Sequence, residues 1–468
     1  MAGRAGRAGT TGAAGIVVLL VTCLLTLLAP APGRATAALV KWPAAITEAE
    51  AVPGPLPGEI TVSWTSTGAN TRGWIIDAST TPPARGYPDD PDRGWKSTRF
   101  TIADSAARSV TLSAADTAAA GAPLGSGRSL ILKVRAQNKA GSTERVRSYP
   151  RGLAVLVAGA APAADGDPLR VGSYNLRFAG RDVGELAWSE RSPLLAANIL
   201  TNELDIVGLQ EALPAMLRAD QRRADTPLLD GLPGRYRLVR ASALHRKRPN
   251  IPMNARILYD GSRLRLVSGC DDRVEWAPQD GEQPPPAACA VDLVSRPGQG
   301  RQVKAAAVAR FEVLSGASAG QQFWFASVHA AAGKGRDSEL WRARQIRLLV
   351  EHLDLLNTEG LPIIVAGDLN SHQTSPDGND VRVALLDAGY YDTAAAVETA
   401  GLGYRTFNGF APQLPARLGV APRIDAVLTK GLDGADRFVN VRTEDDPAYP
   451  VFPSDHNLVY ADLRLPAS

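Results

Sequence analysis

"DSELWRARQIRLLVEHLDLLNTEGLPIIVAGDLN", Asp337 to Asn370, sets the architecture of most of this chain. Leu340, Ala343, Ile346, Leu349, Val350, Leu353 and Leu356 recur at helical spacing and predict an amphipathic helix. "LPIIVAGDLN" then reads as a buried strand that closes on Asp368 and Asn370. The unit recurs upstream. "PLRVGSYNLR" and "DIVGLQE" read as strands. Between them "SPLLAANILTNEL" reads as a helix capped by Ser192, with Pro193 in the first turn and Leu195, Ile199 and Leu200 at helical spacing. "QQFWFASVHA" is a further strand. Strands alternating with helices predict an α/β or α+β layered domain with polar groups gathered where strands stop.

Those groups, in chain order, are Asn175, Glu211, His329, Asp368 with Asn370, Asp425, and Asp455 with His456. Each is led into, or closely flanked, by an apolar run. A carboxylate buried there without a partner is costly, so each needs a metal ion, a hydrogen-bond donor or water. Gathering them at one sheet edge meets that need. Ser173, Ser327 and Ser454 lie beside these residues, but no serine-hydrolase elbow surrounds them.

The ordered set "SYNLR", "DIVGLQE", "VHAAAG", "AGDLNS", "RIDAVL" and "SDHNLV" resembles the successive motifs of the endonuclease/exonuclease/phosphatase family, over about Leu169 to Leu465. The resemblance implies an α+β fold, a four-layer α/β/β/α sandwich with two central β-sheets, and a divalent-metal site at one edge. It implies that Glu211 is the principal ligand of Mg²⁺, with Mn²⁺ or Ca²⁺ as alternatives, steered by Asn175. Asp368, Asn370 and Asp455 are implied to position water, hold a phosphate oxygen and bind a second cation, Asp455 as a ligand. His456 matches a histidine oriented by an acid on another strand, here Asp425. His329 matches a second histidine on the phosphate or leaving oxygen. The implied reaction is in-line attack of water on a phosphodiester.

Within the family, "SVHAAAG" and the cysteine-bearing segment Gly269 to Cys289 are most similar to the pancreatic deoxyribonuclease branch. Lys304 falls near that branch's phosphate-binding arginine. Met253 and Asn254 stand where the branch has a glutamate supporting its first histidine. "HRKRPN", His245 to Asn250, reads either as a track for a polyanion backbone or as a solvated basic loop. The expected substrate is nucleic acid, DNA ahead of RNA. A phospholipid hydrolase of sphingomyelinase type, for which "YRTFNGFAPQL" (Tyr404 to Leu414) is the candidate docking hairpin, is the alternative. A non-enzymatic surface protein is a third reading, disfavoured by the intact polar set.

The N-terminal third has another texture. "EITVSW", with Ile60, Val62 and Trp64 on one face, "GWIIDA", "SVTLSA" and "LILKVRAQN", with Leu130, Leu132, Val134 and Ala136, are short alternating runs separated by turn residues. They predict an all-β, immunoglobulin-like sandwich over residues 40–157. "LKVRAQNKAGST" and Trp64 resemble a fibronectin type III domain, although Leu132 replaces the family's usual tyrosine. Spacing, or adhesion to a cell-surface or polymer ligand, is its expected role. Ala158 to Pro168 reads as a linker, and residues 169–467 as the catalytic domain.

Arg4 and Arg7, the apolar run through Leu28 and "ATA" (Ala35 to Ala37) read as an export signal over residues 1–37. The formal net charge of +3 falls to zero without Arg4, Arg7 and Arg34. A neutral mature chain excludes global charge as a driver of polyanion binding, so attraction for phosphate must be local. Cys270 and Cys289 remain as an even pair in an oxidising compartment and predict one disulfide. A secreted monomer with no further span of transmembrane length is expected.

Overall fold

The computed structural model describes residues 43, 45–67, 70–82, 95–140, 143–148, 153–157, 168–179, 183–217, 227–239, 255–268, 290–293, 304–416, 420–432, 434–444 and 446–466. Among these, no helix is long and apolar enough to cross a membrane. The export signal, the linker up to residue 167, the basic stretch His245 to Asn250, Met253, Asn254 and both Cys270 and Cys289 lie outside them.

Among the described residues of the N-terminal region there are eight strands: β1 (Ala45–Pro53), β2 (Ile60–Thr67), β3 (Gly73–Ser79), β4 (Thr98–Ile102), β5 (Ser109–Leu112), β6 (Ser129–Ala140), β7 (Thr143–Ser148) and β8 (Leu153–Leu156). One sheet has the order β1-β2-β5; the other runs β4-β3-β6-β7, with β8 also on β6. Ile60, Val62 and Trp64 face Leu130, Leu132, Val134 and Ala136 in one core, as their alternation requires. Trp64 packs on Trp74 at 5.2 Å between ring centroids. Apart from one short helix, Ala114–Ala119, the described elements of the region are strands.

From residue 169 the described residues build two seven-stranded sheets. The first joins β9 (Leu169–Asn175), β10 (Ile206–Gln210), β11 (Tyr236–Leu238), β12 (Arg256–Asp260), β19 (Glu398–Ala400), β21 (Arg437–Asn440) and β22 (Val459–Leu463) in the order β11-β12-β10-β9-β22-β21-β19. The second joins β13 (Leu264–Ser268), β14 (Ala290–Asp292), β15 (Ala305–Val313), β16 (Gln322–His329), β17 (Ile363–Asp368), β18 (Tyr391–Asp392) and β20 (Asp425–Lys430) in the order β13-β15-β16-β17-β20-β18, with β14 on β15. Val171, Ile206, Phe311, Phe323, Phe325, Val427 and Val459 fill the space between the sheets.

Helix α1 (Trp188–Thr201) covers the outer face of the first sheet, with Leu195 and Ile199 against Val207, Leu209 and Leu458. Helices α2 (Arg336–Leu356) and α3 (Asp380–Asp387) cover the second. The result is the expected α/β/β/α sandwich. Covered on both faces, β10 and β17 are buried along their whole length and apolar up to their last residues, Gln210 and Asp368, instead of alternating.

Two local readings need correction. Helix α1 starts at Trp188, so Ser192 and Pro193 lie inside it. The cause is Arg191, fully buried, which donates to the carbonyls of Leu176 (2.8 Å), Arg177 (3.2 Å), Leu186 (2.8 Å) and Pro453 (2.9 Å) and anchors the extra turn. In α2 the buried stripe runs through Ala343, Ile346, Leu349, Val350 and Leu353, while Leu340 is exposed. The first turn buries Glu339 and Arg342 as an ion pair at 2.9 Å, turning Leu340 outward.

Candidate active site

Strands β16, β17 and β20 are neighbours, and their register sets His329 opposite Asp368 and Asp368 opposite Asp425. Residues directly opposite in a ladder project to the same face, so three groups far apart in sequence stand in a row. In the other sheet Asn175 ends β9 opposite Gln210 of β10, and Glu211 follows at once. Asp455 and His456 lead into β22, which pairs with β9. Glu211, Asn370 and Arg177 have φ of 53°, 50° and 57°. Left-handed backbone at non-glycine residues is uncommon and here turns the chain sharply at the sheet edge.

The side chains interlock. Asn175 Nδ2 donates to Asp368 Oδ2 at 3.1 Å, and the Asn370 N–H donates to Asp368 Oδ1 at 2.8 Å. His329 Nε2 stands 3.4 Å and His456 Nε2 3.9 Å from that same Oδ2. Nδ1 of His456 lies 2.9 Å from Asp425 Oδ2. Glu211 Oε2 accepts from the Phe178 N–H at 2.7 Å, and Arg177 Nη1 reaches Asp455 Oδ2 at 3.4 Å. Lys304 is half-buried just before β15; burial lowers its pKa, and the charges of Asp368 and then Glu211 oppose that fall.

The two imidazoles face opposite electrostatic conditions. Burial opposes a charge on His456, but Asp425 overcomes it by charge and hydrogen bond, with help from Asp368 and Asp455, and lifts the pKa to about 10. For His329, burial and then the charges of Lys304 and His456 hold the pKa well below the ordinary value. Burial and then Asp425 push Asp368 up to about 7 against the pull of His456. Burial also raises Asp455, with Glu211 adding to the rise while His456 and Arg177 oppose it. One imidazole is thus held as a cation and the other neutral, about one aspartate oxygen.

Asn175, Glu211, His329, Asp368, Asn370, Asp425, Asp455 and His456 thus stand at this edge, with Lys304 near enough for its charge to act on His329. The three neighbouring serines are stitches: Ser173 donates to Gln210, Ser327 to the Leu209 carbonyl, and Ser454 to the Asn175 carbonyl at 2.6 Å. Tyr404 to Leu414 forms a wall of the site. Thr406 Oγ1 accepts from the Ile424 and Asp425 N–H groups at 3.0 and 3.1 Å, Asn408 donates to the Ser454 carbonyl, and Phe407 meets His456 edge-on at 5.0 Å. Phe407 and Leu414 remain exposed there. Sequence reasoning assigned no role to Thr406, Phe407, Asn408, Arg177 or Arg191. The first four lie within motifs already singled out; buried Arg191 left no pattern at all.

Two groups of donors could hold a metal ion. Asp368, Asp425 and His456 each offer an atom within 4.8 Å of the others. Glu211 and Asp455 act on each other electrostatically, and Asp455 Oδ1 is buried with no hydrogen-bond partner among the described residues. Such an orphaned anionic oxygen beside a second carboxylate suits a hard divalent cation.

Comparison with solved structures finds likenesses at low identity. A mannosyl-6-phosphatase of Bacteroides thetaiotaomicron is 20% identical, covering 64% of this chain and 100% of that one, with a TM-score of 0.46. An endonuclease/exonuclease/phosphatase protein of Bacteroides vulgatus is 20% identical over 64% and 99%, with a TM-score of 0.47. The human Nocturnin catalytic domain with bound sulfate is 18% identical over 64% and 97%, at 0.39. No curated protein matches the chain. The model of the Endonuclease/Exonuclease/phosphatase family matches residues 172–456, more than half of the chain and everything from within β9 to His456, so this protein belongs to that family of hydrolases.

Proposed function

We propose that this protein is an exported, Mg²⁺-dependent phosphodiesterase that hydrolyses DNA by in-line attack of water. The observation that carries the reading is the pair of imidazoles with opposite charge preference about Asp368 Oδ2. A cationic His456 offers charge and an Nε2 proton to non-bridging phosphate oxygens, while Asp425 at its Nδ1 fixes tautomer and orientation. Neutral His329 can hydrogen-bond the leaving or attacking oxygen. Asp368, with its pKa near neutrality, is placed to accept a proton from water. Asn175 and Asn370 hold that carboxylate in place.

Family membership supports a divalent metal ion, and Glu211 with Asp455 would hold it, joined by oxygens of Asp368, Asn370 and Asn175. Asp368, Asp425 and His456 are the other donor group, and there only the Nε2 of His456 could serve without breaking the 2.9 Å contact of its Nδ1 with Asp425. When bound, such an ion stabilises negative charge on phosphate oxygens and lowers the pKa of water. Lys304 adds a cation for phosphate.

DNA as substrate is supported by "SVHAAAG" and by a phosphate site built from local cations in a chain without net mature charge. The test is hydrolysis of plasmid DNA, RNA, sphingomyelin and a phosphomonoester, each with Mg²⁺ or EDTA, by wild type and His456→Ala. Mg²⁺-dependent nicking of DNA is expected, falling by about 10³-fold or more in His456→Ala. Cleavage of sphingomyelin alone would refute the nuclease assignment and place Phe407 and Leu414 at a lipid surface.

A further inference from the structure

We infer that the N-terminal sandwich is a positioning part of the active site, because its Gly127 turn is built against Asp392, the acceptor that fixes the segment leading into Asp425. Gly127 has φ +62°, and a Cβ there would lie 2.5 Å from the Asp392 nitrogen and 3.0 Å from Tyr391 Cδ2. Only a residue without a side chain allows this approach. Around it, Asn379 Nδ2 donates to the Thr80 carbonyl at 2.9 Å, Arg128 meets Asp387 at 2.5 Å, and the Val420 N–H donates to the Ala154 carbonyl at 3.3 Å. Leu156 of β8 enters the core between the two catalytic sheets.

Asp392 is buried and holds two buried arginines, Arg382 through Nη1 and Arg423 through Nη2 at 3.0 Å. Arg382 in turn donates to the Arg423 carbonyl at 2.9 Å, and Gln373 Oε1 accepts the Arg423 N–H at 3.3 Å. Arg423 is thus held at its side chain, its N–H and its carbonyl, two residues before the carboxylate that orients His456. Removing the acceptor's support leaves buried guanidinium charge poorly matched, which a packed interior relieves by moving backbone. Small displacements of a catalytic group cost much rate.

The inference rests on Asp425 and His456 being the working pair of the proposed hydrolysis, and the experiment separates the two. Gly127→Val drives a side chain into Asp392. The full chain is assayed for kcat and KM on an activated aryl phosphodiester with Mg²⁺, and the downfield His456 Nδ1–H resonance is recorded in ¹⁵N-histidine protein. The expected result is a shifted or broadened resonance and a kcat roughly tenfold lower, with KM within about twofold. If Gly127→Val does not fold, Arg128→Ala/Asn379→Ala, which removes two contacts without a clash, carries the same expectation. An unchanged resonance or an unchanged kcat, while amide exchange at residues 391–394 rises, overturns the inference. An inactive wild type overturns the hydrolase reading instead and leaves the resonance to decide the positioning.

Discussion

At the level of single residues, the paired histidine and the orphaned carboxylate make separable predictions. The folded pKa of His456, about 10, lies above its ordinary value of 6.5. Its contribution to stability is therefore complete below pH 6.5 and is lost as pH rises through about 10. In EDTA, the excess unfolding free energy of wild type over His456→Gln should shrink across that window, by up to ~1.4 kcal/mol per pH unit. A gap that stays flat from neutral to alkaline pH would mean that Asp425 does not hold an imidazolium. Asp455 carries the opposite balance: its Oδ1 is buried without a partner among the described residues, and the charge of Glu211 acts on it. Asp455→Asn should raise the melting temperature of metal-free protein yet abolish the increase that Mg²⁺ produces in wild type, as differential scanning fluorimetry reads directly. Both residues were visible in "SDHNLV", because a polar cluster beside an apolar run demands compensation. Their partners were another matter: Asp425 as the acid beside His456 came from family resemblance, and Arg177 on Asp455 from neither.

Among the elements, strand ends were readable and the start of α2 was met within one residue, but the start of α1 was not. A strand buried on both faces announces itself as an apolar run, and β17 closes on Asp368 as "IIVAGD" predicts. The start of α1 depends on Arg191, whose guanidinium satisfies carbonyls from the Leu176–Arg177 turn, from Leu186 and from Pro453. Those acceptors are up to 262 residues away, so no local pattern reports them. Arg191→Met keeps the volume and removes the donors. It should cost about 3 kcal/mol or more in urea unfolding, since several buried carbonyls lose their partners together. Because Arg177 and Pro453 flank Asn175 and Ser454, the same variant should also lower activity; retention of full activity would detach the anchor from the site.

Across the whole molecule, the sandwich and the catalytic layers share a core. Leu156 is packed among residues of both central sheets, and the Gly127 turn abuts Asp392. Calorimetry of the full chain should accordingly show a single unfolding transition, and Leu156→Ala should lower its midpoint by the equivalent of about 2–5 kcal/mol. Two well-separated transitions would show that the regions unfold independently. What the amino-acid order determined by itself was local: the period of each apolar run, the polar residues at strand ends, and their family order. Strand periodicity and burial cost act over a few residues, which is why they can be read without coordinates. The tertiary structure alone decided register and approach, hence that His329, Asp368 and Asp425 align, that Thr406 braces Asp425, and that a distant sandwich turn presses on Asp392. Those contacts join segments separated by tens to hundreds of residues, and only packing of the two sheets and their flanking layers brings such groups within hydrogen-bonding reach.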